Sequence, residues 1–377
     1  MKQRLPVLLV CCLLFSATAF SLPRFASRTN FSCQSCHVNP SGGGMRNTFG
    51  LSYGREDIVL ESLQEEYGLE EFTTQINDFI SYGVDFRFLA FTQMKDNPEE
   101  SRSSFFPMQA DVYFNLAISK RVSLFVNPAF GPFNRYEVFG IARILPASGY
   151  IKLGRFTPPY GLRLDDHTSS VREVTPFRNN TGQQTGIEVG LNPGPFSLLA
   201  ALTNGVVGDR DGDMAKAVFG KAEGRFNLGP ANLMLGVSSY NDVSGPERYN
   251  MVGGYGALTF FNRLTVVGDV ERIEGNSPLM GINGDRLQRN AAGRDLKQLA
   301  LMVEGSYMVI PGLDLKVMYD FFDPNTDVQS GSVTRLSGGF EFFPLSGVEV
   351  RPLLRLTSDD VINRDVVDLH VLFHFYL

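Results

Sequence analysis

The chain has 377 residues, 43% of them hydrophobic and 20% charged. Its formal net charge of −6 argues against nucleic acid as a partner. Beyond the N-terminus no uncharged apolar stretch reaches about eighteen residues, so the sequence offers no membrane-spanning helix.

Lys2 and Arg4 precede an apolar run from Leu5 to Phe15, and Ala17, Thr18 and Ala19 supply small residues for cleavage. This pattern predicts a secretory signal peptide over residues 1–19, cut after Ala19. Loss of Lys2 and Arg4 takes the charge from −6 to −8. Cys11 and Cys12 fall inside the apolar run and leave with it. A lipoprotein reading of Cys11 is disfavoured, because no small residue precedes it.

The mature chain keeps only Cys33 and Cys36. Cys33-Gln34-Ser35-Cys36-His37 is a C-x-x-C-H motif, the attachment signature of c-type haem. Two thiols reach the two vinyl groups of one porphyrin, and the adjacent histidine is placed to ligate the iron from one face. A redox dithiol usually opens a helix in a βαβ context, and no such pattern follows here. Cys33, Cys36 and His37 are therefore the candidate cofactor site for one covalent haem c, with His37 an axial iron ligand. Gly42, Gly43 and Gly44 permit positive φ and close approach to a porphyrin edge; a flexible linker is the plainer alternative. Residues from Arg55 to Phe72, rich in Glu and Leu, predict a short linking helix. The expected division is a monohaem cytochrome c segment over 20–72 and a barrel over 73–377.

From Ile80 the apolar residues recur with period two. Ile80, Tyr82, Val84, Phe86 and Phe88 alternate with Ser81, Gly83, Asp85 and Arg87, and Leu313, Leu315, Val317, Tyr319 and Phe321 alternate with Asp314, Lys316 and Asp320. A strand between lipid and a wet lumen needs this alternation, although a soluble β-sandwich also shows it. The connections separate the two. Short ones (Ser119–Arg121, Asn192–Pro195, Phe261–Arg263, Ile310–Gly312, Phe343–Gly347) alternate with long polar ones (Gln93–Ser104, Phe156–Gln183, Arg272–Asp295, Ser358–Asp365). The expectation is an all-β, antiparallel outer-membrane barrel of about sixteen strands, with outer-membrane lipid around it. The haem segment is expected to plug its lumen. No tryptophan is present, so aromatic girdles fall to 31 Phe and 13 Tyr. Gly154 to Gly161 resembles a segment common in anion-type porins, and Val371 to Leu377 looks like a closing strand.

In that last strand Leu369, Val371, Phe373 and Phe375 form the apolar parity, so His370 and His374 are predicted to face the lumen, roughly 13 Å apart. Both are candidates for the second axial ligand; His167, in the longest loop, and Met45 are lesser ones. Arg87, Arg143, Arg351 and Arg355 are candidate propionate partners. Asp165, Asp166, Asp209, Asp211, Asp213, Asp359 and Asp360 are loop acids that concentrate cations or are simply solvated. No catalytic residue is assigned.

Leu22-Pro23-Arg24-Phe25-Ala26-Ser27-Arg28-Thr29, the single C-x-x-C-H and the nearby Phe49-Gly50, ahead of a porin-like remainder, resemble the fused outer-membrane monohaem cytochrome–porins. That family includes the outer-membrane iron oxidases of iron-oxidising bacteria; the glycine run departs from the iron-oxidase pattern. The resemblance implies electron transfer across the outer membrane, with extracellular ferrous iron as donor and a periplasmic electron carrier below. The alternatives are a diffusive porin in which the haem segment is a plug or gate, and a haem sensor or binding module.

Overall fold

The computed structural model describes residues 23–67, 73–95, 98–128, 130, 136–164, 166, 168–175, 182–205, 214–277, 295–360 and 364–377. The signal-peptide assignment, Cys11, Cys12, Asp165, His167, Asp209, Asp211 and Asp213 lie outside the described residues.

Strands β1 (Ile80–Met94), β2 (Arg102–Ala117), β3 (Val122–Asn127), β4 (Glu137–Leu145), β5 (Gly149–Phe156), β6 (Gln184–Leu191), β7 (Phe196–Thr203) and β8 (Ala217–Asn227) make the first half. Strands β9 (Ala231–Ser244), β10 (Glu247–Phe260), β11 (Leu264–Gly275), β12 (Leu296–Ile310), β13 (Leu313–Asp323), β14 (Val333–Phe342), β15 (Val348–Asp359) and β16 (Arg364–Tyr376) make the second. Each pairs antiparallel with its neighbours in sequence, and β1 pairs with β16 from Asp85↔Tyr376 to Met94↔Val367. The result is a closed barrel of sixteen strands, as the alternation of short and long connections predicts. Several strands run past the predicted loop edges, because hairpin pairing continues outward: β1 to Met94, β11 to Gly275, β15 to Asp359.

Burial settles which face is which. In β13, Lys316 is 1% exposed and Asp320 is fully buried, whereas Leu315 and Val317 are 50% and 58% exposed. A soluble protein inverts this order. Every strand pairs with a neighbour on both sides, so the sheet closes without an edge strand and most of the wall's backbone groups bond within it. No helix among the described residues is long and apolar enough to cross a membrane.

The chain before β1 carries α1 (Pro23–Thr29), a 3₁₀ turn at Cys33–Ser35, α2 (Thr48–Glu56) and α3 (Glu61–Tyr67). The predicted helix over 55–72 is thus two helices, beginning seven residues earlier. It breaks between Asp57 and Leu60, where the Leu60 N–H leaves the helix to donate to the Phe343 carbonyl (2.9 Å) on the β14–β15 turn. Inside the wall, α1 packs on β9, β10 and β11. Arg28 reaches Asp314 with both terminal nitrogens (3.0 and 3.1 Å), and Arg24 pairs with Glu341. Ser27 meets Thr259 at 2.9 Å, and Asn232 donates to the Arg28 carbonyl at 2.7 Å. The loop after β5 also enters the lumen. The Gly161 N–H donates to Ser238, the Ser170 N–H to Asp320, and Tyr249 to the Val174 carbonyl. That loop carries the one-turn helix α4 (Ser170–Glu173).

Candidate cofactor site

The C-x-x-C-H residues form a tight turn. Cys36 and His37 both donate backbone N–H bonds to the Cys33 carbonyl (3.2 and 3.0 Å). From there the chain doubles back, with the Val38 N–H on the Met45 carbonyl and a bridge between His37 and Arg46. Asn47 stitches the return. Its N–H donates to the Cys36 carbonyl (2.8 Å), its Nδ2 to the Ser35 carbonyl (2.9 Å), and its Oδ1 accepts from the Gly50 N–H, capping α2. Gly50 is required by contact: a Cβ there would sit 2.3 Å from the Cys36 carbonyl oxygen. Gly42 has φ +91° and presses on Cys33, with a notional Cβ 3.1 Å from its Sγ. Of the glycine run, Gly42 packs against the first thiol, whereas Gly43 has open space beside it and Gly44 faces Tyr113 and Phe125.

The barrel wall holds this turn from outside. Lys152 on β5, fully buried, donates to Ser41 (2.9 Å) and Asn39 (3.2 Å) and pairs with fully buried Glu188 at 2.6 Å. Tyr150 donates to the same Glu188 (2.6 Å), and Arg143 donates to the Val38 carbonyl (2.9 Å). Asn47 and Lys152 carry the site, and neither stood out in the sequence. The only signals were an N-cap asparagine ahead of Thr48 and an inward-parity lysine.

Cys33, Cys36 and His37 line one cavity of about 1680 Å³, counting the space open to solvent. It reaches from Tyr376, Leu377 and Phe343 at the short-turn end to Asn127 and Glu137 at the far ends of β3 and β4. Cys33 and Cys36 form no disulfide with each other. Desolvation by the surrounding lumen, with Glu223 adding to it, pushes the Cys33 thiol pKa up. A redox-active dithiol needs the opposite shift. Cys33, Cys36 and His37 side by side on one tight turn that faces this cavity and is packed by Gly42 fit a covalently held porphyrin.

The lumen histidines divide. In β16, His370 and His374 are on the inward parity, and His374 lines the same cavity as Cys33. Its Nδ1 lies 2.8 Å from Glu349 and its Nε2 3.2 Å from Asp85, so each nitrogen already faces a carboxylate. His370 lies edge-on to Phe91 and lines a separate void with Arg355 and Asp166. Met45 is buried in the core under Gly83. Met234, also buried, lines the main cavity.

Among the proposed propionate partners, Arg87 pairs with Asp85 (3.1 Å), Arg351 with Glu341 (3.2 Å) and Arg355 with Asp166 (3.1 Å). Three other arginines line the cavity: Arg46, Arg163 and Arg172, the last donating to the Leu164 carbonyl. Arg46 stacks over Tyr376 at 4.0 Å, and Arg163 donates to the Thr157 carbonyl at 3.0 Å. No carboxylate among the described residues pairs with either. Of the loop acids, Asp166 and Asp359 are buried in the lumen, and Asp360 accepts from Ser332.

Neither a protein-family profile nor a curated protein matches the sequence. Solved structures do. The chain is similar to an anion-selective porin from Comamonas acidovorans, with 11% identity, 79% of this chain and 99% of that one covered, and a TM-score of 0.56. It is similar also to the outer-membrane channel DcaP of Acinetobacter baumannii (14%; 82% and 100%; 0.55). OmpT of Vibrio cholerae gives 12% identity, 81% and 100% coverage and 0.54. These likenesses cover the barrel and show the fold. With its closed wall and apolar exterior, the chain is an outer-membrane β-barrel of porin architecture.

Proposed function

We propose that this barrel carries one covalently attached c-type haem in its lumen and passes electrons across the outer membrane, as a member of the fused monohaem cytochrome–porins. The observation that supports this reading is the placement of Cys33, Cys36 and His37 on a single cavity reaching from the short-turn rim to the opposite ends of β3 and β4. When bound, the haem supplies a reversible one-electron iron couple. The chain does the rest. Cys33 and Cys36 would hold the haem through their sulfurs, and His37 would ligate its iron. Arg46 and Arg163, which line the cavity and pair with no carboxylate among the described residues, would supply charge-assisted donors for the propionates. The hydrocarbon layer is about 25 Å deep, so a site partway along the lumen shortens the gap to a donor outside and a periplasmic carrier below. Ferrous iron is the proposed outer donor, on the resemblance.

The test is an absorption spectrum of detergent-solubilised protein, oxidised and then mixed anaerobically with ferrous iron. Prompt appearance of sharp reduced c-type bands is expected. Bands seen only with a stronger reductant would discard iron as donor. No bands in properly matured protein would discard the haem. A second reading, a diffusive porin with a lumen plug, draws on the solved neighbours, one described as an anion-selective porin and another as an outer-membrane channel. Solute permeability separates it from the first.

A further inference from the structure

Among the described residues, three side chains on the cysteine cavity, besides Cys33, Cys36 and His37, carry a nitrogen or sulfur able to ligate haem iron: Lys221, Met234 and His374. Lys221 is committed elsewhere, its Nζ donating to the Gly161 carbonyl at 2.7 Å and lying 3.8 Å from Glu223. Each ring nitrogen of His374 faces a carboxylate. Met234 is a neutral thioether, 2% exposed, which gives up neither a proton nor an ion pair to bind a metal. Its strand, β9, also turns Asn232, Ser238 and Asp242 inward, as a wet lumen requires. Wetting does not account for a thioether among them.

Position agrees. The Cys33 thiol lies within reach of the charges on Glu223, Lys221 and Arg225, so it stands toward β8. Met234 is beside that stretch, in register with Arg225 on β8 and Ala257 on β10, all three buried. His37 is tied to the other side of the lumen. Its backbone bridges to Arg46, which lies over Tyr376 of β16, and β16 stands opposite β8 in the closed strand order. Two axial ligands reach an iron from opposite faces of the porphyrin. Met234 comes from across the lumen to His37, whereas His374, on β16, comes from the same side.

We propose that Met234 is the second axial ligand of the haem, opposite His37; this rests on the haem reading above. A thioether opposite an imidazole raises the reduction potential of haem iron. Met234 would thus set the haem to accept electrons from a weakly reducing donor, the class to which ferrous iron belongs.

The experiment is spectroscopy of the full-length, matured protein in detergent, with covalent haem counted by pyridine haemochrome. Wild-type ferric protein is expected to show the far-red sulfur-to-iron charge-transfer band of methionine-ligated haem. Met234→Leu keeps the apolar bulk of the site, so a side chain that only packs leaves the spectrum and the potential unchanged. A ligand does not. In Met234→Leu the band is expected to vanish, ferrous haem to take up carbon monoxide readily and the midpoint potential to fall, at unchanged haem per barrel. His374→Ala is expected to keep the band. A band that survives in Met234→Leu would overturn the proposal. So would its absence from wild-type ferric haem, a reading that needs no variant. Haem bands without the far-red band would sink the ligand alone, whereas no covalent haem in wild type would sink the haem reading and the ligand with it.

Discussion

Gly50 and Lys152 show how single side chains hold the candidate site. At Gly50 there is no room for a methyl group beside the Cys36 carbonyl, so Gly50→Ala must displace either α2 or the C-x-x-C-H turn. Overpacking of this kind costs about 1–3 kcal/mol. The expected outcome is less covalent haem per barrel, measured by pyridine haemochrome absorbance against protein mass; an unchanged ratio would mean that the turn has slack. Lys152→Met leaves Glu188 buried without its cation, which costs about 3–5 kcal/mol. Lys152→Met with Glu188→Gln should recover part of that loss in urea unfolding, because the stranded charge is gone. Cys33, Cys36 and His37 stood out in sequence because the C-x-x-C-H pattern fixes residue type and spacing. Lys152 did not, because an inward-parity lysine acquires its role only when β5 is brought against Ser41.

At the scale of elements, the loop after β5 is held in the lumen by ionic contacts to the wall. Asp166 pairs with Arg355 at 3.1 Å, and Arg335 pairs with Glu173 at 2.9 Å and donates to the Thr168 carbonyl. Burial opposes the charge on Asp166, but Arg355, with Arg351 and Lys316 behind it, outweighs burial and holds the carboxyl well below the usual aspartate range. A lowered folded-state pKa stabilises above the unfolded value, about 3.9, and the contribution is lost as pH falls below that toward the folded value. Wild type should therefore melt above Asp166→Asn at pH 7. The gap in Tm should narrow on acidification below about pH 3.9. A constant gap from pH 7 to pH 2.5 would exclude ionisation of Asp166 as its origin. From sequence this segment read as a long outer loop, and period-two patterns say nothing about where a loop folds. Its Gly161 (φ +57°) and Tyr160, donating to Glu271, turn it inward.

For the whole molecule, the wall and the N-terminal segment draw stability from different sources: ladder hydrogen bonds around a closed sheet, and buried ion pairs and apolar contacts within it. Cys33→Ser with Cys36→Ser should abolish covalent haem while the heat-shifted gel mobility of a folded barrel persists. Covalent haem in that double variant would rule out the attachment site. The sequence by itself determined the barrel, its strand number and the inward and outward faces. Side chains alternate across a strand, and a lipid-facing exterior forces that alternation into composition. It also determined the C-x-x-C-H turn, whose chemistry is local. Only the tertiary structure decided that α1 packs inside the wall on β9–β11 with Arg28 on Asp314, and that His374 stands between Asp85 and Glu349. It also decided that Arg46 and Arg163 face the cysteine cavity with no carboxylate partner among the described residues. Each of these depends on which distant strands close around the N-terminal segment, and neither periodicity nor motif spacing encodes that.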